Sequence, residues 1–129
     1  MTYDEAYRAI KHGRTDILAE AIPSTLDPNA ANRFGWTLLM AAAHEGNTTI
    51  GRLLLDRGAD VAPLNDFGES ALSLAAHKSH LPFVKLLKAR GASADVRPHG
   101  LELSEWLRIS SGLSQVKIDA VLAAALGPG

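Results

Sequence analysis

The chain holds five histidines, the side chains best suited to bind a metal or to move a proton near neutral pH. His77 and His80 stand three apart, a spacing that puts both on one helix face. His44 precedes His77 by 33 residues, so the two become neighbours if the chain repeats at that period. No carboxylate or third ligand stands at a matching spacing, and the pattern predicts no metal. His44 and His77 then read as surface residues at the end of a helix. The chain has no cysteine, which excludes a thiol nucleophile, a thiolate zinc site and a disulfide framework. Ser114-Gln115-Val116-Lys117 matches Ser-x-x-Lys by letters. That pair catalyses only with further groups in a pocket, and Ser114 is more simply the N-cap of a helix. There is no Gly-rich phosphate loop and no nucleophile elbow. The sequence predicts no catalytic residue, no cofactor and no enzyme.

Recognition is better supplied. Phe34, Phe67 and His99 each precede a glycine. Arg33, Asp66 and Pro98 come one residue earlier, and Trp36, Glu69 and Leu101 follow the same glycines. Large aromatic groups in a segment that would otherwise be polar make good interface anchors. Two packing alternatives stand beside that reading. Phe34 and Phe67 can stack on one another, and Trp36 can cover the N-terminal end of the fold. Lys85, Lys88 and Arg90 cluster near one helix C-terminus, where cations suit the helix dipole, and read as solvated structural charges.

The bulk composition narrows the partner classes. The chain has 129 residues, 47% hydrophobic and 21% charged, which suits one folded domain rather than a disordered segment. Thirteen Lys and Arg face fourteen Asp and Glu, for a net charge of -1. No basic excess is present to displace counterions, so nucleic acid is not the expected partner. The start, Met1-Thr2-Tyr3-Asp4-Glu5-Ala6, lacks a basic region and an apolar run, and predicts no signal peptide. The longest apolar run, Ala120 to Leu126, is too short for a membrane span. A soluble cytoplasmic chain is expected, monomeric when free, and the sequon Asn47-Thr48-Thr49 then carries no weight.

The elements that must position these residues repeat. Asn32-Arg33-Phe34-Gly35-Trp36-Thr37-Leu38-Leu39 aligns with Asn65-Asp66-Phe67-Gly68-Glu69-Ser70-Ala71-Leu72 at an offset of 33. Ala42-Ala43-His44 then matches Ala75-Ala76-His77, and Arg57-Gly58-Ala59-Asp60 matches Arg90-Gly91-Ala92-Ser93. Gly13 and Asp27 lie 33 before Gly46 and Asp60, which makes the first thirty residues a degenerate copy. Thr37 and Ser70 can cap a first helix, the alanine pairs let it approach its neighbours, and Leu53-Leu54 and Leu86-Leu87 fill the space behind. Gly58 and Gly91 end the second helix, and Pro82 fits its first turn.

With Gly35-Trp36-Thr37-Leu38-Leu39-Met40-Ala41-Ala42, Gly46, Ile50 to Leu55 and Gly58-Ala59-Asp60, the sequence resembles the ankyrin-repeat family over nearly its whole length. The resemblance implies an all-α solenoid of about four helix-turn-helix units with β-hairpin-like turns. The units are an N-capping one over 1–31, regular repeats over 32–64 and 65–97, and a C-capping one over 98–126, with a tail at 127–129. The family's Pro is replaced by Leu38 and Ala71, and its His by Met40 and Ser73, so a looser tie between adjacent hairpins is expected. Tyr7, Ile10, Ile17, Leu18 and Ile22 are the expected inward face of the first unit. Leu103, Trp106, Leu107 and Ile109 suggest one helix of the last unit, and Val116, Ile118, Val121, Leu122 and Leu126 the other.

For function, the resemblance implies a protein-binding module. Its contacts would fall on the hairpin tips and inner helices, at Arg33, Phe34, Trp36, His44, Glu45, Asp66, Phe67, Glu69, His77 and His99. The tract Asn32 to Met40 is similar to small stand-alone bacterial ankyrin proteins, some of which serve as immunity proteins that mask a toxin. The alternatives are a regulatory scaffold or adaptor for a cytoplasmic enzyme and a self-associating structural subunit.

Overall fold

The computed structural model describes residues 1–127; Pro128 and Gly129 of the tail lie outside the described residues. Among the described residues eight α-helices follow in four pairs: α1 (Tyr3–Lys11) and α2 (Thr15–Ala21), α3 (Leu38–Glu45) and α4 (Thr48–Asp56), α5 (Ala71–His77) and α6 (Leu81–Ala89), α7 (Leu103–Ser110) and α8 (Gln115–Leu126). The members of each pair pack on each other. Helices α1, α3 and α5 stack as an inner layer, and α2, α4, α6 and α8 as an outer one, while α5 ends against both α7 and α8. Among the described residues there is no strand, only an isolated bridge between Ala31 and Thr37. The all-α solenoid expected from the sequence is the observed architecture.

Local chemistry explains where the helices begin. The Thr37 hydroxyl accepts from the Met40 N–H at 3.2 Å, and the Ser70 hydroxyl from the Ser73 N–H at 3.1 Å. Each caps an orphan donor of the first turn. Met40 and Ser73 answer in kind: the Thr37 N–H donates to the Met40 sulfur at 3.5 Å, and the Ser70 N–H to Ser73 Oγ at 2.8 Å. The N-caps at Asn47 and Ser114 receive the N–H of Ile50 and Lys117. Thr2 and Glu5 close a reciprocal capping box on α1.

Hydrogen bonds tie each hairpin to the next. The Asp66 N–H donates to the Phe34 carbonyl at 2.9 Å, and the His99 N–H to the Phe67 carbonyl at 2.7 Å. Gly68 permits the second contact, because a Cβ there would sit 2.7 Å from the Arg97 carbonyl oxygen and its φ is +74°. Behind the hairpins, His80 Nε2 meets the His44 carbonyl at 3.0 Å with its ring against Gly46. A carbonyl only accepts, so this nitrogen carries the proton. On the outer layer Arg57 donates to the Ala19 carbonyl at 3.0 Å, and Arg90 pairs with Asp56 at 2.7 Å. Backbone donors, His80 and long basic side chains thus link each unit to the next.

The core is continuous along the stack. Leu38 through Ala43 are all buried, and so are Ala71 through Ala76. An interior helix covered by a helix on either side and one behind has no solvent face to keep polar. The end units behave differently. Ile10, Leu18 and Ile22 are buried as expected, but Tyr7 and Ile17 are half-buried. In the last unit Leu103, Trp106, Leu107, Ile118 and Val121 are buried, whereas Ile109, Val116 and Leu126 are 64%, 78% and 63% exposed. The last pair has neighbours on one side only, so an apolar residue on its far side meets water.

Candidate functional site

The site is built on two turns with the same hydrogen-bond pattern. In the first, Asn32 Oδ1 accepts from the N–H of Phe34 at 2.9 Å and of Trp36 at 3.0 Å. In the second, Asn65 Oδ1 accepts from the N–H of Phe67 at 2.9 Å and of Glu69 at 3.0 Å. Each asparagine thus holds its own turn closed from within. The strand-like closure is completed by Asn32 N–H to Trp36 O and Asn65 N–H to Glu69 O. Phe34 and Phe67 ride on the tips, 44% and 48% exposed. The third turn differs: Pro98–Gly100 forms a short 3-10 turn with His99 at φ 54°.

Phe34, Trp36, His44 and Phe67 line one concave groove of about 500 Å³ with Tyr3, Asp4, Tyr7, Asn32 and Ala41. Trp36 is half-buried and meets the His44 ring edge-on, with centroids 5.9 Å apart. Tyr3 and Tyr7 lie one turn apart on α1 and stack with centroids 6.3 Å apart. Burial, with smaller effects from Tyr7 and Asp4, pushes the Tyr3 phenol up to about 12, so it remains a hydrogen-bond donor. Burial first, then the Lys78 ammonium, hold the His44 imidazole below its ordinary value. It is therefore neutral at neutral pH.

The other expected contact residues are dispersed. Arg33 is exposed and lays its guanidinium over Phe34, 4.8 Å from the ring centroid, in a recess beside the groove. Glu45 and Asp66 are exposed but do not line the groove. Glu69 is a correction: it is buried, its carboxylate accepting from Asn65 Nδ2 at 2.8 Å and from His99 Nε2 at 3.1 Å. A side chain so enclosed braces two turns and presents nothing to a partner. His77 and His99 do not line the groove but belong to a ring stack that starts at Phe67. Phe67 lies on His99 at 5.6 Å, His99 on Trp106 at 5.8 Å, and Trp106 on His77 at 4.5 Å. The alternative in which Phe34 stacks on Phe67 does not form among the described residues; Arg33 and His99 take those places. Ser110 gives its only hydroxyl proton to the Trp106 carbonyl at 2.6 Å, so the 3.1 Å contact to His77 is an Nε2–H donation.

Sequence reasoning missed Tyr3, Asp4 and Tyr7. The available signal was two tyrosines at i and i+4, whose hydroxyls need a wet or hydrogen-bonded end that an inward core position does not offer. Among the described residues no group of three His, Asp or Glu side chains is placed to hold a metal ion. No helix among them is long and apolar enough to cross a membrane.

A family model described as ankyrin repeats, in three copies, matches residues 6–98. The chain is 42% identical over 55 residues to the ankyrin repeat, SAM and basic leucine zipper domain-containing protein 1 of Ornithorhynchus anatinus, covering 43% of this chain and 12% of that protein. The same protein of Oryctolagus cuniculus is 38% identical over the same extent. An ankyrin repeat-containing protein of Schizosaccharomyces pombe is 34% identical over 53 residues, which cover 41% of this chain and 26% of that protein. The chain thus spans only a small part of the curated relatives it matches.

Proposed function

The chain belongs to the ankyrin-repeat family, and from that premise we propose that it is a non-enzymatic protein-binding module whose partner seats in the groove between α1 and the two hairpin tips. Ankyrin repeats act in general as protein–protein interaction modules on extended concave surfaces. One observation carries the placement: Phe34 and Phe67 are held nearly half exposed on turns braced by their own asparagines, beside Trp36. Rigid aromatic groups at the centre of an interface commonly dominate its energy. Capture from the source cell followed by mass spectrometry supplies the partner. Phe34→Ala, Trp36→Ala and Phe67→Ala should then each raise Kd roughly tenfold or more. Lys88→Ala, on α6, should change it little. Unchanged binding by all three well-folded variants would move the site to another face.

The organisation we propose for the module is an N-capping unit over 1–31, repeats over 32–64 and 65–97, and a C-capping unit over 98–126. Each span carries one helix pair. The finer function we propose is that of a cytoplasmic immunity protein, monomeric when free, that masks a toxin. It rests on the resemblance of the Asn32–Met40 tract to small stand-alone bacterial ankyrin proteins. Protection of cells that express a neighbouring toxin gene supports it, and killing undiminished by this chain overturns it. An adaptor that holds a cytoplasmic enzyme is the second reading, favoured by relatives in which the matching segment is a small part of a larger protein.

A further inference from the structure

The groove has a chemistry more specific than apolar. The rings of Tyr3, Tyr7, Phe34, Trp36 and Phe67 all line it. Among the described residues that line it, Asp4 is the one carboxylate, and there is no lysine or arginine. Asp4 makes no ion pair and no side-chain hydrogen bond among the described residues, although Arg33 borders the same recess. The His44 imidazole on the inner wall is neutral, and the Tyr3 phenol keeps its proton. An aliphatic side chain would gain from the rings but has no use for a free carboxylate. A neutral polar one would lose its hydration against the rings. A cation gains from both, because aromatic faces carry negative potential and Asp4 carries a full charge. The chain already displays this preference once, in the Arg33 guanidinium over Phe34 at 4.8 Å.

We infer that the groove receives a cationic side chain, lysine or arginine, projecting from the protein partner, with its aliphatic stem along Trp36 and its charged head towards Asp4 and the tyrosine pair. Arg33 borders the adjoining recess with Asp4 but does not line the groove and makes no ion pair with Asp4, whose carboxylate therefore stays available to an incoming charge. This inference rests on the groove being the protein-binding site.

The test uses the full chain and small probes that need no identified partner. Nα-acetyl-lysine methylamide, Nα-acetyl-arginine methylamide and the neutral Nα-acetyl-norleucine methylamide are titrated into 15N-labelled protein. The Trp36 indole N–H, assigned by its loss in Trp36→Phe, is followed by NMR. A cationic probe should give saturable shifts at Trp36 with Kd on the order of tens of millimolar, and norleucine should bind more weakly. Asp4→Asn should weaken the cationic probe about twofold to fivefold, and Asp4→Glu should retain most of its binding. Thermal melts of both variants confirm that α1 is intact. Norleucine binding as tightly as the cations would overturn the inference, as would cationic probes that leave Trp36 unmoved or bind Asp4→Asn as they bind the wild type. If Phe34→Ala and Phe67→Ala still weaken the natural partner, the groove remains the binding site and only its cation specificity falls. If those variants leave the natural partner unaffected, the binding-site reading fails whatever the probes do.

Discussion

Replacing Gly51 by alanine adds one methyl group at the place where α4 crosses α6. Gly51 is buried in the middle of α4, and a Cβ there would lie 2.6 Å from Cε2 and Cζ of Phe83 and 3.4 Å from Cδ2 of Leu86. Carbon atoms rest at about 3.5–4.0 Å, so the overlap with the ring is about 1 Å. Phe83 is fully buried and among the largest buried side chains, so in a close-packed core its ring can yield only by pressing on its neighbours. Forcing a methyl group into a packed core costs about 1–3 kcal/mol, and an overlap with two ring atoms belongs at the upper end. Alanine returns about 0.8–1 kcal/mol through helix propensity. The net expectation is a loss of about 1–2 kcal/mol, seen as a lower urea midpoint at unchanged m and a Tm lower by roughly 3–10 °C. The cause is separable from any general intolerance of α4. In a Phe83→Leu background the ring is gone, and Gly51→Ala should become neutral or stabilising by up to about 1 kcal/mol, a coupling of about 2 kcal/mol in the double-mutant cycle. A Gly51→Ala protein as stable as wild type would refute the close approach of the outer helices. An equal penalty in both backgrounds would refute Phe83 as its cause.

Two further perturbations test the ends of the stack. Ending the chain after Val96 removes α7 and α8 and uncovers the faces of α5 and α6 that pack against them, so the product should be poorly soluble or melt broadly, because stack stability comes from neighbour interfaces. A truncated chain that melts as sharply as the full one would make the last unit an appendage. The pH dependence follows from His77, whose imidazole is held below its ordinary value of 6.5 by burial first and the Lys78 ammonium next. The unfolded chain therefore binds that proton more readily, so this contribution is fully present above about pH 6.5 and is lost as pH falls below it towards the folded value. Urea midpoints at pH 7 and pH 5 should fall apart less in His77→Gln than in wild type; an identical difference in the two proteins would place the acid sensitivity elsewhere.

Much of the candidate site could be read from residue types, and part of it could not. Phe34, Trp36, His44 and Phe67 do share one groove, because a 33-residue period places equivalent turns side by side. Glu69 looked like a surface charge, since it follows a turn glycine in register with Trp36. Its burial comes from Asn65 within its own turn and His99 from the next unit, thirty residues away. Tyr3 and Tyr7 entered the groove because α1 packs on α3 and turns one edge towards the first tip, a placement that depends on another unit and leaves no mark in the local pattern.

The period, the caps at Thr37 and Ser70, the turn glycines and the apolar helices were determined by the sequence alone. Each depends on interactions within a few residues or on strict repetition, and repetition makes the neighbour of one unit a copy of itself. The tertiary structure alone decided which aromatic meets which, that Arg33 and His99 rather than a second phenylalanine cover the tip rings, and which apolar side chains at the ends face water. At the ends the repeat is broken, so symmetry no longer predicts the neighbour. Ile109 and Val116 are as apolar as Leu107 and Ile118, and only the presence or absence of a packed helix on the far side separates them.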